Sequence, residues 1–174
     1  MSYYNAVISC PIGNIGLQWQ HAKLTEVSLV SHNIVPLPYS AQQGLSRQVT
    51  QWFECYFQAL GPPPLPLPLN LQGTPFQIRV WRALLRIPYG QTRTYGELAK
   101  KLNTSARAIG MACRANALLM VVPCHRVVAK NGLGGYRGSQ RNRCDIKSWL
   151  LRHEQQTLST DKESPIYELE TCFF

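Results

Sequence analysis

Apolar residues alternate with polar ones, or run together, over Tyr3 to Ser9, Ile15 to Gln20 and Val27 to Ser31. Pro11, Gly13-Asn14 and His32-Asn33 punctuate these runs, a pattern that predicts three short strands joined by turns. The period then changes. Leu45, Val49, Trp52, Phe53, Tyr56, Phe57 and Leu60 recur at three- and four-residue steps, so Leu45 to Leu60 reads as a helix with one buried face. Next comes Gly61-Pro62-Pro63-Pro64-Leu65-Pro66-Leu67-Pro68-Leu69. Such a run favours extended polyproline geometry and makes a stiff linker. Its alternating Leu65, Leu67 and Leu69 predict a strand laid on the first unit.

The second half reads as helical. Thr74-Pro75 supplies an N-cap and a proline at the first helical position, and Phe76, Val80, Trp81, Leu84 and Leu85 make that helix's apolar face. Ile87-Pro88-Tyr89-Gly90 ends it. Thr94 and Glu97 have capping-box spacing and open a helix over Tyr95 to Leu102. Asn103-Thr104-Ser105 breaks the chain before a third helix, Ala106 to about Arg114. Two short helices joined by a tight turn predict a helix-turn-helix. Asp145 to Glu154 reads as a last helix, with Ile146, Trp149 and Leu150 buried, and residues 155 to 174 as a partly ordered, acidic tail. The expected architecture is α+β, with an N-terminal domain over 1–73 and a C-terminal domain over 74–174.

One stretch fits neither period. The apolar run Leu118 to Val122 stops at Pro123, which cannot donate to a ladder. Cys124, His125 and Arg126 follow before Val127-Val128 resumes. A thiol reacts as thiolate, and an unperturbed Cys at neutral pH is mostly protonated. An adjacent base and nearby cations raise the thiolate fraction. A buried structural Cys is the competing reading. A Cys124–His125 hydrolase is another, although neighbours on an extended segment point to opposite sides.

Charge narrows the partner. The net charge is +9, unevenly distributed. Phe76 to His153 holds fifteen Lys or Arg against two acids, Glu97 and Asp145, whereas the first 75 residues hold two of each sign. A block this basic is the footprint of a polyanion-binding face. The third helix has small residues at Ala106, Ala108, Gly110 and Ala112, with Arg107 and Arg114 its only charges. Small side chains allow close approach to nucleic acid, and an Arg suits phosphate contact or filling a vacated base position. Asn131 to Tyr136 is a glycine-rich loop with one aromatic, able to bring backbone near a ligand.

Composition removes other classes. No apolar run reaches the ~20 residues of a membrane helix. No secretory pattern opens the chain. Its six Cys are scattered without a Cys-x-x-Cys pair, so they read as reduced thiols in a cytoplasmic protein, or a nuclear one in a eukaryote. Cys10, His21, His32 and Cys55 match no metal-ligand spacing.

Pro123-Cys124-His125-Arg126-Val127 resembles the O6-alkylguanine-DNA alkyltransferase family. So do Phe76 to Trp81, Ile87 to Gly90, Thr94-Tyr95, Ala106 to Gly110, Arg114 to Asn116, Gly135-Tyr136 and Ser148 to Glu154. Together they cover about 76–154 in the family's order. Residues 1–60 resemble it only loosely. At Ala117 and Leu119 some relatives carry prolines, and Arg137 to Ser139 departs from the family's usual small-residue loop.

The resemblance implies an RNase H-like α/β unit ahead of the helix-turn-helix unit. It implies single-use repair, in which an alkyl group moves irreversibly from guanine O6 in DNA, with thymine O4 a second candidate, to the protein's own Cys124. His125 would deprotonate Cys124 through a water, with Glu154 orienting His125. Asn116 would be a hinge, and Tyr95 would turn the phosphate and help protonate the guanine. Arg107 would enter the stack, with Ser105, Ala106, Ala108 and Arg114 also on the DNA side. Tyr136, Val127, Cys113 and Arg137 would line the base pocket. The partner would be double-stranded DNA bearing O6-alkylguanine, the protein a monomer, with no cofactor, no metal and no membrane. A damage sensor that binds without transferring is the alternative.

Overall fold

The computed structural model describes residues 4–30, 43–58, 65, 68–135 and 141–160. Its first element is an antiparallel meander, β1 (Ala6–Cys10), β2 (Gly13–Gln20) and β3 (Lys23–Val30), in the order β1-β2-β3. β2 and β3 begin earlier than the apolar runs suggest, because polar Asn14, Lys23 and Thr25 also take part in the ladder or its start. A sheet packed on one face carries polar residues on the other, which hides its ends from an apolar-run reading. Gly16 is required at its place. A Cβ there would lie 2.5 Å from the Tyr4 ring, which rests flat on the strand.

Helix α1 (Gln43–Phe57) buries Val49, Trp52, Phe53 and Tyr56, spaced as one helical face. Of the Pro-rich segment, Leu65, Pro68 and Leu69 lie among the described residues. Leu69 bridges Leu24 in parallel, with Leu24 N–H donating to Pro68 O at 3.0 Å and Asn70 N–H to Leu24 O at 2.9 Å. The linker's end therefore meets β3 at a single bridge, and no strand of the kind its alternation predicts is formed among the described residues.

Helix α2 (Pro75–Leu84) has the N-cap its sequence promises, and Gln77 makes it reciprocal. Gln77 N–H donates to Thr74 Oγ1 at 3.2 Å, and Thr74 N–H donates to Gln77 Oε1 at 2.9 Å. A two-residue strand β4 (Arg93–Thr94) leads into α3 (Tyr95–Lys101), capped by Thr94 and Glu97 in the same way. α4 (Ala106–Arg114) follows a short break, with Ser105 Oγ accepting from Ala108 N–H at 3.1 Å. α3 packs on α4 as the helix-turn-helix. Strand β5 (Val127–Val128) pairs in parallel with β4. The last helix, α5, spans Arg141–Thr160. It begins before Asp145 and continues past Glu154, so the expected tail over 155–174 starts as helix, and 161–174 lie outside the described residues.

Leu118 to Val122 is the main departure. It touches β3 once, through Val27 N–H to Ala117 O at 2.9 Å and Leu119 N–H to Val27 O at 3.0 Å. It then leaves the ladder through Met120, whose φ of 67° is left-handed, and Cys124–Arg126 form one turn of 3₁₀ helix. The segment is apolar because it is buried on every side. A single hydrophobic core runs from Ile15, Leu17 and Val27 in the sheet through Phe53, Leu84 and Ile109 to Val122, Val127 and Leu150.

Candidate active site and DNA face

Cys124 opens the 3₁₀ turn and is buried. The extended reading of this segment is thereby corrected. At three residues per turn, successive side chains diverge by about 120° instead of facing opposite ways. Two hydrogen-bond sets hold the turn. Upstream, Asn116 Nδ2 donates to Leu118 O at 3.3 Å, Val122 O at 2.9 Å and Cys124 Sγ at 3.4 Å, while Asn116 Oδ1 accepts from Leu118 N–H at 2.9 Å. One buried amide, directly after α4, thus ties the recognition helix to the cysteine segment. Downstream, the parallel pairing of β5 with β4 brings Tyr95 to the same place.

His125 follows, fully buried. Its Nε2 lies 2.7 Å from Glu154 Oε1 on α5. A carboxylate only accepts, so Nε2 carries the proton and Nδ1 the lone pair. Nδ1 is buried and has no hydrogen-bond partner among the described residues, which leaves it as a proton acceptor. Burial pushes the His125 pKa down, against the pull of Glu154, and keeps the ring neutral. Burial alone would raise the Glu154 carboxyl, but hydrogen bonds from His125 and Arg126, with the Arg126 charge, outweigh it and hold it well below the usual carboxylate range.

That carboxylate is crowded with donors. Oε1 accepts from Tyr56 OH at 2.6 Å and Arg126 Nη2 at 3.0 Å, and Oε2 from Arg126 Nε at 2.8 Å and Gly90 N–H at 3.0 Å. Arg126 Nη1 also donates to Ile87 O at 2.8 Å. The sequence reading gives Tyr56, Gly90 and Arg126 no part in holding Glu154, because their link to it is a shared acceptor far along the chain.

Tyr95 is half-buried, with its hydroxyl donating to Gly135 O at 3.2 Å. Burial, with the nearby Cys113 and Cys124 sulfurs, pushes its pKa up to about 12. It therefore keeps its proton at neutral pH. Cys113 is likewise pushed up to about 12, mainly by burial, and so remains a thiol. Lys147, also missed, is fully buried. Its Nζ donates to Val127 O at 2.6 Å and Gly135 O at 3.1 Å and stands 5.6 Å from the Tyr95 ring centre. A signal existed: Lys147, Leu150, Leu151 and Glu154 share one face of α5, so a cation and an anion sit on an otherwise apolar stripe.

The structure thus gathers Cys124, His125, Glu154, Asn116, Tyr95, Val127 and Cys113. The expected DNA-side residues lie apart, on α4. Ser105, Ala106, Arg107 and Arg114 are exposed and Ala108 half-buried. Met111, unnoticed in the sequence, shares the outer face of α4 with Arg107 and Arg114 and is 66% exposed. Tyr136 and Arg137 lie outside the described residues.

Residues 75–156 match the family described as 6-O-methylguanine DNA methyltransferase, DNA binding domain. A methylated-DNA–protein-cysteine methyltransferase of Methanosarcina acetivorans is 38% identical over 157 residues, covering 87% of this chain and 97% of the relative. The chain belongs to the methylated-DNA–protein-cysteine methyltransferase family. The inducible family member of Bacillus subtilis is 47% identical over 96 residues, 53% of this chain and 51% of that protein. Among solved structures, the O6-methylguanine methyltransferase of Mycobacterium tuberculosis superposes with a TM-score of 0.73 at 34% identity, covering 87% of this chain and 92% of that one. A structure of the same bacterium's protein in complex with DNA gives 0.72 at 32% identity. These likenesses extend beyond the helix-turn-helix into the sheet unit, where family motifs are faint in the sequence.

Proposed function

We propose that Cys124 is the alkyl acceptor of this methyltransferase and that His125, Glu154, Asn116 and Tyr95 serve it. As a family member, the protein repairs DNA by moving an alkyl group from guanine O6 to a cysteine of its own. The observation that carries the assignment is the Cys124 turn. A buried thiol is held by Asn116, and the next residue is a neutral His whose one lone pair is unmet among the described residues and whose other nitrogen is fixed by a carboxylate.

The reaction follows from these groups. Stacking and pairing hide O6 in a duplex, so the base must be flipped out. Arg107, exposed between two alanines on the first turn of α4, is long enough to fill the gap. Cys124 loses its proton through a bridging water to His125 Nδ1, and Glu154 stabilises the imidazolium. The thiolate attacks the alkyl carbon, a C–S bond forms and the C–O6 bond breaks. Its electron pair returns to guanine, which takes up a proton with help from the Tyr95 hydroxyl. The net change is thiol plus alkylguanine to thioether plus guanine. No group here reverses a thioether, so each molecule acts once.

Incubation with an excess of O6-methylguanine duplex, followed by intact and peptide mass measurement, tests this. Product should plateau at one methyl per protein, mapped to Cys124, and Cys124→Ser should take up none. Continued turnover, or a methyl on another cysteine, would sink the assignment. Binding without any mass gain would favour a damage sensor.

A further inference from the structure

Tyr56 sits on α1, in the sheet unit, yet its hydroxyl reaches the relay. It is fully buried and donates to Glu154 Oε1 at 2.6 Å, the same oxygen that holds His125 Nε2 at 2.7 Å. Its ring is fixed independently by Trp52 stacked at 5.9 Å and by edge contacts with Phe57 at 5.3 Å and Tyr89 at 5.6 Å. The hydroxyl is thus aimed by a rigid aromatic cage, and packing alone does not require it.

We infer that Tyr56 is a positioning residue for alkyl transfer: by sharing the Glu154 oxygen with His125, it tempers the basicity of His125 and sets the pH range in which Cys124 can be deprotonated. This rests on the relay assigned under the proposed function. A carboxylate oxygen that already accepts a strong hydrogen bond presents less negative charge to a second partner. With Tyr56 in place, the imidazolium is stabilised less and His125 stays neutral, able to accept a proton, to lower pH. Other groups around the pair act in known directions. Arg126, beside His125, and Lys147, on α5, disfavour its protonation, whereas Glu154 favours it. Around Glu154 itself stand Arg126, the Gly90 N–H and Tyr56, with Tyr89 and the titratable His153 of α5 against the Tyr56 ring. Among these hydrogen-bond partners of Glu154, Tyr56 alone is contributed by the sheet unit.

Tyr56→Phe keeps the ring in its cage and removes one oxygen. Single-turnover transfer from an O6-methylguanine duplex is measured from about pH 4.5 to 8 for both proteins, with DNA affinity measured alongside. The acid limb of the variant should move up by about half a unit or more, so that its rate near that limb falls several-fold. Its rate on the alkaline side and its DNA affinity should stay within about twofold. Site-specific 3-fluorotyrosine at 56, a stronger donor in the same cage, should move the limb the other way. A variant limb that overlays the wild type, or a rate lowered equally at every pH, overturns the inference and leaves Tyr56 a packing residue. An unmoved limb with fluorotyrosine overturns it too, even if Tyr56→Phe fails to fold. If the wild type transfers nothing, the assigned function falls and this inference with it.

Discussion

Arg107 is the residue whose task separates most cleanly from chemistry. It is exposed and lies on the outer face of α4, away from the buried cluster at Cys124. Unstacking and unpairing a base costs a few kcal/mol, and in the proposed mechanism Arg107 offsets part of that by occupying the gap. Arg107→Ala should slow repair in duplex DNA by about tenfold for each ~1.4 kcal/mol lost. It should leave transfer from O6-benzylguanine nearly unchanged, because nothing is flipped. Single-turnover rates on both substrates decide it, and equal losses would make Arg107 a pocket residue. At this scale the sequence was uneven. Cys124, His125 and Glu154 were legible because short motifs flank them. Tyr56 and Gly90 were not, because hydrogen bonds to a shared carboxylate leave no local pattern. Arg126 stood inside the most conspicuous motif, yet its two bonds to Glu154 depend on the fold of a residue 28 positions away.

Elements with local instructions formed where the sequence placed them. Thr74 with Gln77 and Thr94 with Glu97 cap α2 and α3, since a capping box is contained within four residues. The segment from Leu118 to Val122 fits neither period in the sequence, because burial on all sides gives an apolar run whatever the backbone does. Its single register point is Val27, which bonds both Ala117 and Leu119. Leu119 supplies an N–H that a proline would lack. Leu119→Pro should therefore break the Leu119–Val27 bond and leave the Val27 carbonyl without that donor, at a cost of about 1–3 kcal/mol. Urea denaturation should show a lower midpoint with an unchanged slope. A midpoint equal to the wild type would mean that this pairing contributes nothing to stability.

Across the whole molecule, the sheet unit and the helical unit share one core and one buried polar network. The network makes stability depend on pH. His125 has a lowered pKa, so on acidification the unfolded chain takes up a proton near pH 6.5 that the native protein refuses. Its contribution is complete above that pH and is lost as pH falls, by about 1.4 kcal/mol per unit for one proton. Glu154, also lowered, adds a second loss below about pH 4.3, where the unfolded carboxylate protonates first. The melting temperature should be level above about pH 7 and fall from about pH 6.5 downward, more steeply below about pH 4.5. A melting temperature unchanged between pH 7 and 5 would contradict a buried, neutral His125.

A protein that can act only once has a particular enemy: any electrophile in solution that reaches its sulfur before damaged DNA does. Cys124 is 2% exposed, closed in by its own turn and by Asn116. In the proposed relay its proton leaves through an imidazole that is itself sealed from solvent. Small alkylating and oxidising agents therefore meet the half-buried Cys10 and Cys55 more readily, thiols to which the proposed mechanism gives no part. For the acceptor proposed above, burial is in this sense a storage device, keeping an unrenewable reagent intact until a base is delivered to it.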